Sequence, residues 1–325
     1  MSSEKLLAID IGGTKIALGI ADHASFSSSG EFQRVEKFPV PELRRPELVI
    51  PVIVDRSLQL LAREHPVAVG ISIGGPLDHE RGVVLNFPHL PGWKDIPLAS
   101  ILAEAFDSPT TLDNDANLGA LAEYHWGIGK GANPFLNLTI STGIGGGVIL
   151  DGKLVHGVAS GGGEVGHITV QTDGPLCDCG NRGCLEQMAS GTHIAERARE
   201  LVRERPGEGR RLLEMVDGTI EKIRAEEVLE GYRMGDALAT KAWLEAAEYL
   251  AIGLGSIIHV LSPERIVLGG GVAMAGDDLI TPVRERLRDH VFYIPVDCID
   301  LQPASLGHDS ALLGAATMVA LEVES

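Results

Sequence analysis

The sequence lacks any long run of Lys or Arg, and its 45 acidic side chains outnumber 27 basic ones for a formal net charge of −18 over 325 residues. A surface of that sign repels a phosphate backbone, which excludes nucleic acid as a general partner. A cleavable apolar leader is missing too: the opening MSSEKLLAID places charges ahead of a short strand-like run, which predicts a cytoplasmic rather than a secreted protein. No apolar stretch is of membrane-spanning length. The longest, around Leu250 to Leu261, is interrupted by Gly253, Gly255 and His259 and predicts a soluble chain with no membrane partner. Cysteine is sparse. Four thiols in a chain this long exclude a disulfide scaffold, and the crowding of Cys177, Cys179 and Cys184 turns the question to metal. Cys298 stands alone in an apolar, strand-like run and reads as an inert core residue.

What is present is a globular composition, 44% hydrophobic and 22% charged, long enough for two packed units. Glycine is abundant and clusters beside apolar runs, where it lets the backbone turn tightly or approach a ligand. The run from Leu6 to Asp10 meets Gly12-Gly13-Thr14-Lys15 and continues from Ile16 to Ile20: strand, glycine turn, strand. About 130 residues later the pattern recurs, with Leu136 to Ile140, a turn Ser141-Thr142-Gly143-Ile144-Gly145-Gly146-Gly147, and Val148 to Leu150. Between these units lie a helical pattern from Pro46 to about His65, a buried strand from Val67 to Ile73, and a helix from about Ile96 to Phe106. The second half carries a helix after Glu186 and a charged stretch from Arg203 to Arg233 that reads as a solvated helical face. A long helix from Asp236 to about Leu261, a strand from Arg265 to Leu268 and a helix from Asp278 to His290 follow. Such alternation predicts two α/β domains with a cleft between them, where small molecules commonly bind.

The turn Asp10-Ile11-Gly12-Gly13-Thr14-Lys15 gathers backbone N–H groups, a hydroxyl, a cation and a carboxylate, a set that suits polyphosphate and hydrated Mg²⁺. It matches neither GxxxxGK[ST] nor GxGxxG, and a Gly-Gly hairpin is equally consistent with a plain turn. Thr142 and Gly143 in the second turn offer a grip on the same triphosphate from the other side. The third run, Gly269-Gly270-Gly271, suits a base or ribose through Gly270, or simply turns a strand into a helix. Asp113-Asn114-Asp115 precedes a helical pattern from Ala116 to Trp126, so one residue serves as N-cap. A second carboxylate is then placed to accept a proton from a substrate hydroxyl, held a weak base by the helix dipole. That weakness is tolerable in phosphoryl transfer, which depends on positioning more than on early proton abstraction.

Most distinctive is Glu164-Val165-Gly166-His167 followed by the run Cys177-Asp178-Cys179-Gly180-Asn181-Arg182-Gly183-Cys184-Leu185-Glu186. His167, Cys177, Cys179 and Cys184 make a complete Cys₃His set, a closed structural zinc site with no open coordination position. Fixing that loop would hold Glu164 and Glu186 where adjacent sugar hydroxyls donate to them. Either glutamate also fits as an ordinary solvated acid.

These residues resemble the ROK (repressor, open reading frame, kinase) family in Asp10-x-Gly12-Gly13-Thr14-Lys15, Glu164-x-Gly166-His167 and Cys177-x-Cys179-Gly180-x-x-Gly183-Cys184-x-Glu186. The likeness extends from Leu6 to about Ala320. It implies an actin-like ATPase (ribonuclease H-like) fold, with residues 1–113 and about 303–325 forming one α/β domain and residues 114–302 a second that carries the zinc clasp. The last helix, from about Asp309 to Leu321, would cross back onto the first domain. The implied activity is ATP-dependent phosphorylation of a hexose at its 6-hydroxyl, with ATP, Mg²⁺ and structural Zn²⁺. Glucose is the expected acceptor, and N-acetylmannosamine or N-acetylglucosamine the alternatives. The resemblance assigns Asp115 as catalytic base and Asn114, Glu164, His167 and Glu186 to the sugar, His167 also ligating zinc. Asn86, in Asn86-Phe87-Pro88, falls where the family places a further sugar contact. A homo-oligomer, dimer or tetramer, is expected.

Two rivals belong to other classes. The family includes sugar-responsive repressors, but the first strand starts at Lys5, ahead of which a DNA-reading head has no room, and the charge opposes DNA. A zinc hydrolase needs an open metal position, which Cys₃His does not leave.

Overall fold

The computed structural model describes residues 4–87, 90–205 and 207–324. Pro88 of the Asn86-Phe87-Pro88 motif and Pro206 of the charged stretch lie outside them. The first glycine turn closes an antiparallel hairpin of β1 (Lys5–Ile11) and β2 (Lys15–Asp22), in which Ile11 faces Ile16. β3 (Arg34–Pro39) pairs with the outer edge of β2, and β4 (Ala68–Ile73) lies parallel to β1. All six residues of β4, Ala-Val-Gly-Ile-Ser-Ile, are buried, the continuous apolar run of a parallel strand covered on both faces. β5 (Leu77–Asp78), β6 (Val83–Asn86) and β7 (Lys94–Ile96) form a small separate sheet, and β8 (Thr110–Asn114) completes the first main sheet in the order β3-β2-β1-β4-β8.

The second main sheet repeats that plan. β9 (Phe135–Ile140) and β10 (Ile144–Leu150) form its hairpin, with Ile140 facing Ile144. β11 (Lys153–Leu154), β12 (Arg265–Gly269) and β13 (Asp300–Pro303) complete the order β11-β10-β9-β12-β13. Two five-stranded sheets of one topology, each with three antiparallel and two parallel members, form the doubled ribonuclease H-like architecture of an actin-like ATPase.

The sheets exchange helices. The helix Asp115–His125 follows β8 yet packs on β9 and β10, while the helix Ser310–Glu324 follows β13 yet packs on β1 and β4. The two helices cross so closely that a Cβ on Gly314 would overlap the Leu118 carbonyl, and the second lies so close on β4 that a Cβ on Gly70 would overlap the Ala315 carbonyl. Glycine is required there for want of space rather than for its backbone freedom. Buried Glu123 ties the exchange together: its carboxylate accepts from the Ile128, Ser305 and Leu306 amides at 3.1, 2.8 and 2.8 Å and from the Ser305 hydroxyl at 2.9 Å. A buried carboxylate with four donors satisfies the hydrogen-bonding demand that burial imposes.

Several sequence expectations need correction. The turn read across residues 141–147 is confined to Ser141-Thr142-Gly143; Gly145, Gly146 and Gly147 are strand residues of β10. A Cβ on Gly145 or Gly147 would meet Ala116 or Ala120 of the Asp115–His125 helix at 2.8 or 2.6 Å, so glycine serves the approach of that helix. Cys298 is exposed in a turn, Val296–Cys298, rather than buried in a strand. The helix begun at Pro46 ends at Leu60, because Ala62 and Arg63 take left-handed φ of 53° and 64°. The charged stretch folds into helices Arg210–Met215 and Ala225–Arg233, whose Leu212 and Val228 are buried in the second core. The long helix, Ala237–Leu261, is apolar enough over 25 residues to reach spanning length. Its Leu238, Trp243, Leu250 and Leu254 are instead enclosed in that core, while Glu245 and Glu248 pair with Arg197 and Arg286.

Candidate functional site

Parallel pairing of β1 with β4 sets Asp10 beside Ser72, whose hydroxyl donates to the carboxylate at 2.7 Å. Burial pushes the Asp10 carboxyl up to about 6; the Ser72 hydrogen bond and the Lys15 charge oppose the rise, and the Asp115 and Asp309 charges add to it. Three acidic side chains and Lys15 therefore share one neighbourhood. The turn that follows is closed by the Gly12 amide donating to the Lys15 carbonyl at 3.0 Å, leaving Thr14 and Lys15 exposed. Asp309 had no signal in the sequence. It reaches the site because the C-terminal helix folds back over β1, and it is held by Lys37 at 2.6 Å.

At the end of β8 the three-residue turn divides its duties. Asn114 is the N-cap, its side chain accepting from the Ala116 amide at 2.9 Å. Asp115 is the exposed first residue of the helix, where the dipole favours its anion. Asp113 is the buried carboxylate: it accepts from the Asn114 amide at 2.6 Å, from Asn117 Nδ2 at 3.0 Å and from His156 at 2.6 Å. This link holds His156 above the usual imidazole range, its hydrogen bond to Asp113 outweighing burial and the Glu80 charge adding to it. Asn86 ends β6 with its side chain exposed; its amide donates to the Pro76 carbonyl at 3.2 Å, next to Gly75, which lies against Asn114.

Across the cleft, Glu164 opens the one-turn segment Val165–His167, with its carboxylate 3.8 Å from His167 Nε2. Glycine again permits the approach: a Cβ on Gly163 would stand 2.6 Å from the Gly146 carbonyl, and one on Gly166 would overlap that of Ile144. Glu186 Oε2 accepts from the Ile144 amide at 2.9 Å and lies against Gly143. The residue read as a sugar ligand is thus also tied to the second glycine turn. Thr142 leads into that turn, and its carbonyl accepts from the Thr192 hydroxyl at 2.8 Å. Gly270, at φ 83°, packs on the Ile140 backbone directly before it, where any Cβ would overlap the carbonyl. The residues expected at the nucleotide thus lie at the carboxyl ends of β1, β9 and β12, the edge of an open α/β sheet where ligands bind.

The four proposed metal ligands converge. His167, Cys177, Cys179 and Cys184 each offer one ligand atom, all within 4.8 Å of one another. Cys177 Sγ lies 3.6 Å from His167 Nδ1, and Cys179 Sγ lies 3.7 Å from Cys184 Sγ. Tetrahedral ligands about 2.3 Å from a zinc ion stand roughly 3.8 Å apart, so the donor set and its spacing fit that metal. Without a cation, burial pushes the Cys184 thiol up to about 12 and raises Cys177, while an amide hydrogen bond lowers Cys179. A divalent ion among three sulfurs reverses that balance.

Comparison with known proteins bears on both halves at once. A glucokinase of Thermotoga maritima is 34% identical over 320 residues, covering 98% of each chain. The crystal structure of a ROK hexokinase from Thermus thermophilus superposes with a TM-score of 0.82 at 35% identity, covering 98% of this chain and 99% of that one. A ROK family glucokinase from Streptomyces griseus, solved in complex with glucose and AMPPNP, gives 0.81 at 32% identity over 97% and 98% of the two chains. Residues 6–322 match the ROK family, so the likeness spans both sheets, the cleft and the cysteine loop, and this chain belongs to the ROK family.

Proposed function

We propose that the chain is an ATP-dependent hexose kinase that transfers the γ-phosphoryl group of ATP to the 6-hydroxyl of glucose. The observation that carries this reading is the exposed carboxylate of Asp115 at a helix start, near enough to Asp10 for its charge to act there, on a helix that shares strand β10 with the turn after Glu164. The glucokinase likeness over nearly the whole chain supports it.

In this reading two units, residues 1–113 with about 303–325 and residues 114–302, close on both substrates. The amides and side chains of Gly12, Gly13, Thr14 and Lys15 meet the polyphosphate from one side, and Thr142 and Gly143 from the other, with Gly270 beside the nucleoside. Asp10 is the carboxylate for the hydrated Mg²⁺ that ATP brings; that ion offsets the charge burial disfavours at this position. Asn86, Asn114, Glu164, His167 and Glu186 hold the sugar hydroxyls. Asp115 accepts the O6 proton as O6 bonds to the γ-phosphorus and the bond to the departing ADP breaks, giving hexose 6-phosphate and ADP. Because this transfer is loose and largely dissociative, alignment of O6 with the leaving oxygen matters more than the strength of the base. His167, Cys177, Cys179 and Cys184 would hold a zinc ion, which would supply a structural tie and no catalytic step, keeping the loop between Glu164 and Glu186 in place.

A screen for ADP release decides the acceptor, comparing kcat/KM for glucose, mannose, fructose, N-acetylglucosamine and N-acetylmannosamine. Glucose is expected to lead. An N-acetylhexosamine exceeding it by more than about tenfold reassigns the substrate and leaves the kinase chemistry standing; no turnover with any of them removes the kinase reading.

A further inference from the structure

Two histidines that the reaction above does not use meet across the cleft. His79 sits in the turn after β5, on the first unit; His156 follows β11, on the second. Their rings stack with centroids 3.8 Å apart and planes 9° from parallel. Each is anchored to the opposite side. His156 Nε2 bonds to Asp113 at 2.6 Å, and that carboxylate is 2% exposed. The Ser160 hydroxyl oxygen accepts from the His79 amide at 3.2 Å and lies 2.9 Å from His79 Nδ1.

The segment so fastened runs straight into Glu164. Ala159 and Ser160 both take left-handed φ, 53° and 58°, a conformation unfavourable for a non-glycine residue that persists only where the surroundings hold it. The Gly162 amide closes the segment onto the His156 carbonyl at 2.6 Å. On the other side, Asp113 fixes the Asn114 amide and Asn117, the frame from which Asp115 projects. One contact cluster therefore joins the loop that delivers Glu164 to the turn that delivers Asp115.

We infer that His79, His156 and Ser160 form a latch between the two units, and that they act as positioning residues that set sugar affinity by seating Glu164 opposite Asp115. The inference rests on the sugar-kinase reading above. The groups facing His156 are Asp113 on β8, Glu80 and His79 on the β5–β6 turn; Asp78 and Arg81 of that turn pair with one another. Asp113 and Glu80 together favour the imidazolium form of His156, which keeps the Asp113 end of the stack charged and bonded.

The test compares His79→Ala, His156→Ala and His156→Gln with the unaltered protein, the glutamine retaining an amide that donates to Asp113. His79→Ala and His156→Ala are expected to raise the sugar KM roughly tenfold with kcat changed by less than about threefold and the ATP KM unmoved. His156→Gln is expected to restore the sugar KM lost in His156→Ala. Hydrogen exchange at residues 157–163 is faster in His79→Ala, a readout that needs no turnover. Unchanged exchange in His79→Ala, or a sugar KM within twofold of the unaltered protein, overturns the latch. Failure of the unaltered protein to phosphorylate any sugar overturns the kinase reading instead, and the exchange measurement then still decides whether the latch exists.

Discussion

The two sheets share a strand order and differ in the second strand of each hairpin. In register, Ile16-Ala17-Leu18-Gly19 of β2 corresponds to Ile144-Gly145-Gly146-Gly147 of β10. Both halves have glycine at the fourth position; at the second and third the first half places buried side chains, Ala17 and Leu18 being 2% and 0% exposed. The second half leaves them empty, so that the Asp115–His125 helix and the Glu164 turn lie directly on the strand. One repeat fills its hairpin with side chains; the other leaves space there for a helix and a turn to lie on the strand, and builds its larger buried core elsewhere, around the helix Ala237–Leu261.

The contrast is broken most completely at the metal. Cys179→Ser is expected to lose the roughly one zinc per chain that elemental analysis should find in the unaltered protein, and to lose activity with it. Hydrogen exchange should rise across residues 165–190 and stay unchanged in β1, β2 and β4. Stoichiometric zinc retained by the variant would remove the Cys₃His assignment.

Next in size is an exchange between repeats. Gly146→Leu imports the first half's residue into β10, where even its Cβ meets Val165 Cγ2 at 2.5 Å and the Gly163 carbonyl at 3.0 Å. A loss on the order of 3 kcal/mol or more is expected from the clash with backbone. Leu18→Ala in β2 should cost about 2–5 kcal/mol for the opposite reason, a cavity. Denaturant midpoints measure both; a Gly146→Leu protein as stable as the unaltered one would mean that β10 has room to spare.

Asp115→Asn preserves shape and removes the proton acceptor. A fall in kcat of roughly 10²-fold, about 2.7 kcal/mol, is expected with the melting temperature and ATP KM little changed. A variant keeping more than about a tenth of the original kcat would reduce Asp115 to a helix-start residue.

The smallest effect is one of sign. Asp10 has a carboxyl raised to about 6 against an ordinary value of 3.8, so in the nucleotide-free protein the folded state holds a proton that the unfolded state has released. Stability therefore falls as pH rises from about 4 to 6, and the deficit is complete above that. Asp10→Asn, which can still accept from Ser72, should stabilise the nucleotide-free protein at pH 8 by on the order of 1–3 kcal/mol and leave it unchanged near pH 4, while kinase activity is lost. Equal melting temperatures at pH 8 would contradict the burial argument.

The sequence made one half of this comparison easier to read than the other. The Gly12-Gly13 turn, the buried strand at residues 68–73 and the cysteine loop carry local signals, in apolar runs, adjacent glycines and ligand spacing. β3 and β13 do not: Arg-Val-Glu-Lys-Phe-Pro and Asp-Leu-Gln-Pro owe their strand form to a neighbour's edge rather than to their own pattern. Glycine at 145–147 reads as a turn because glycine normally marks one, whereas here a helix lying on Gly145 and Gly147 and the Gly163–Val165 segment lying on Gly146 exclude every larger residue. Asp113 and Asp115 are chemically alike in sequence. Only the fold separates them, by burying one beside His156 and leaving the other exposed. Asp309, His79 and His156 were silent for the same reason, since their partners lie far along the chain.

The helix exchange has a thermodynamic consequence. Each sheet is covered on one face by a helix that belongs, along the chain, to the other half, with Gly314 against Leu118 where they cross and Glu123 bonded across the join. Melting either half strips an apolar face from its neighbour, so neither can unfold while the other persists. Two domains that merely touched would give two calorimetric transitions. This chain should give one, its calorimetric and van't Hoff enthalpies agreeing as they do for a single cooperative unit.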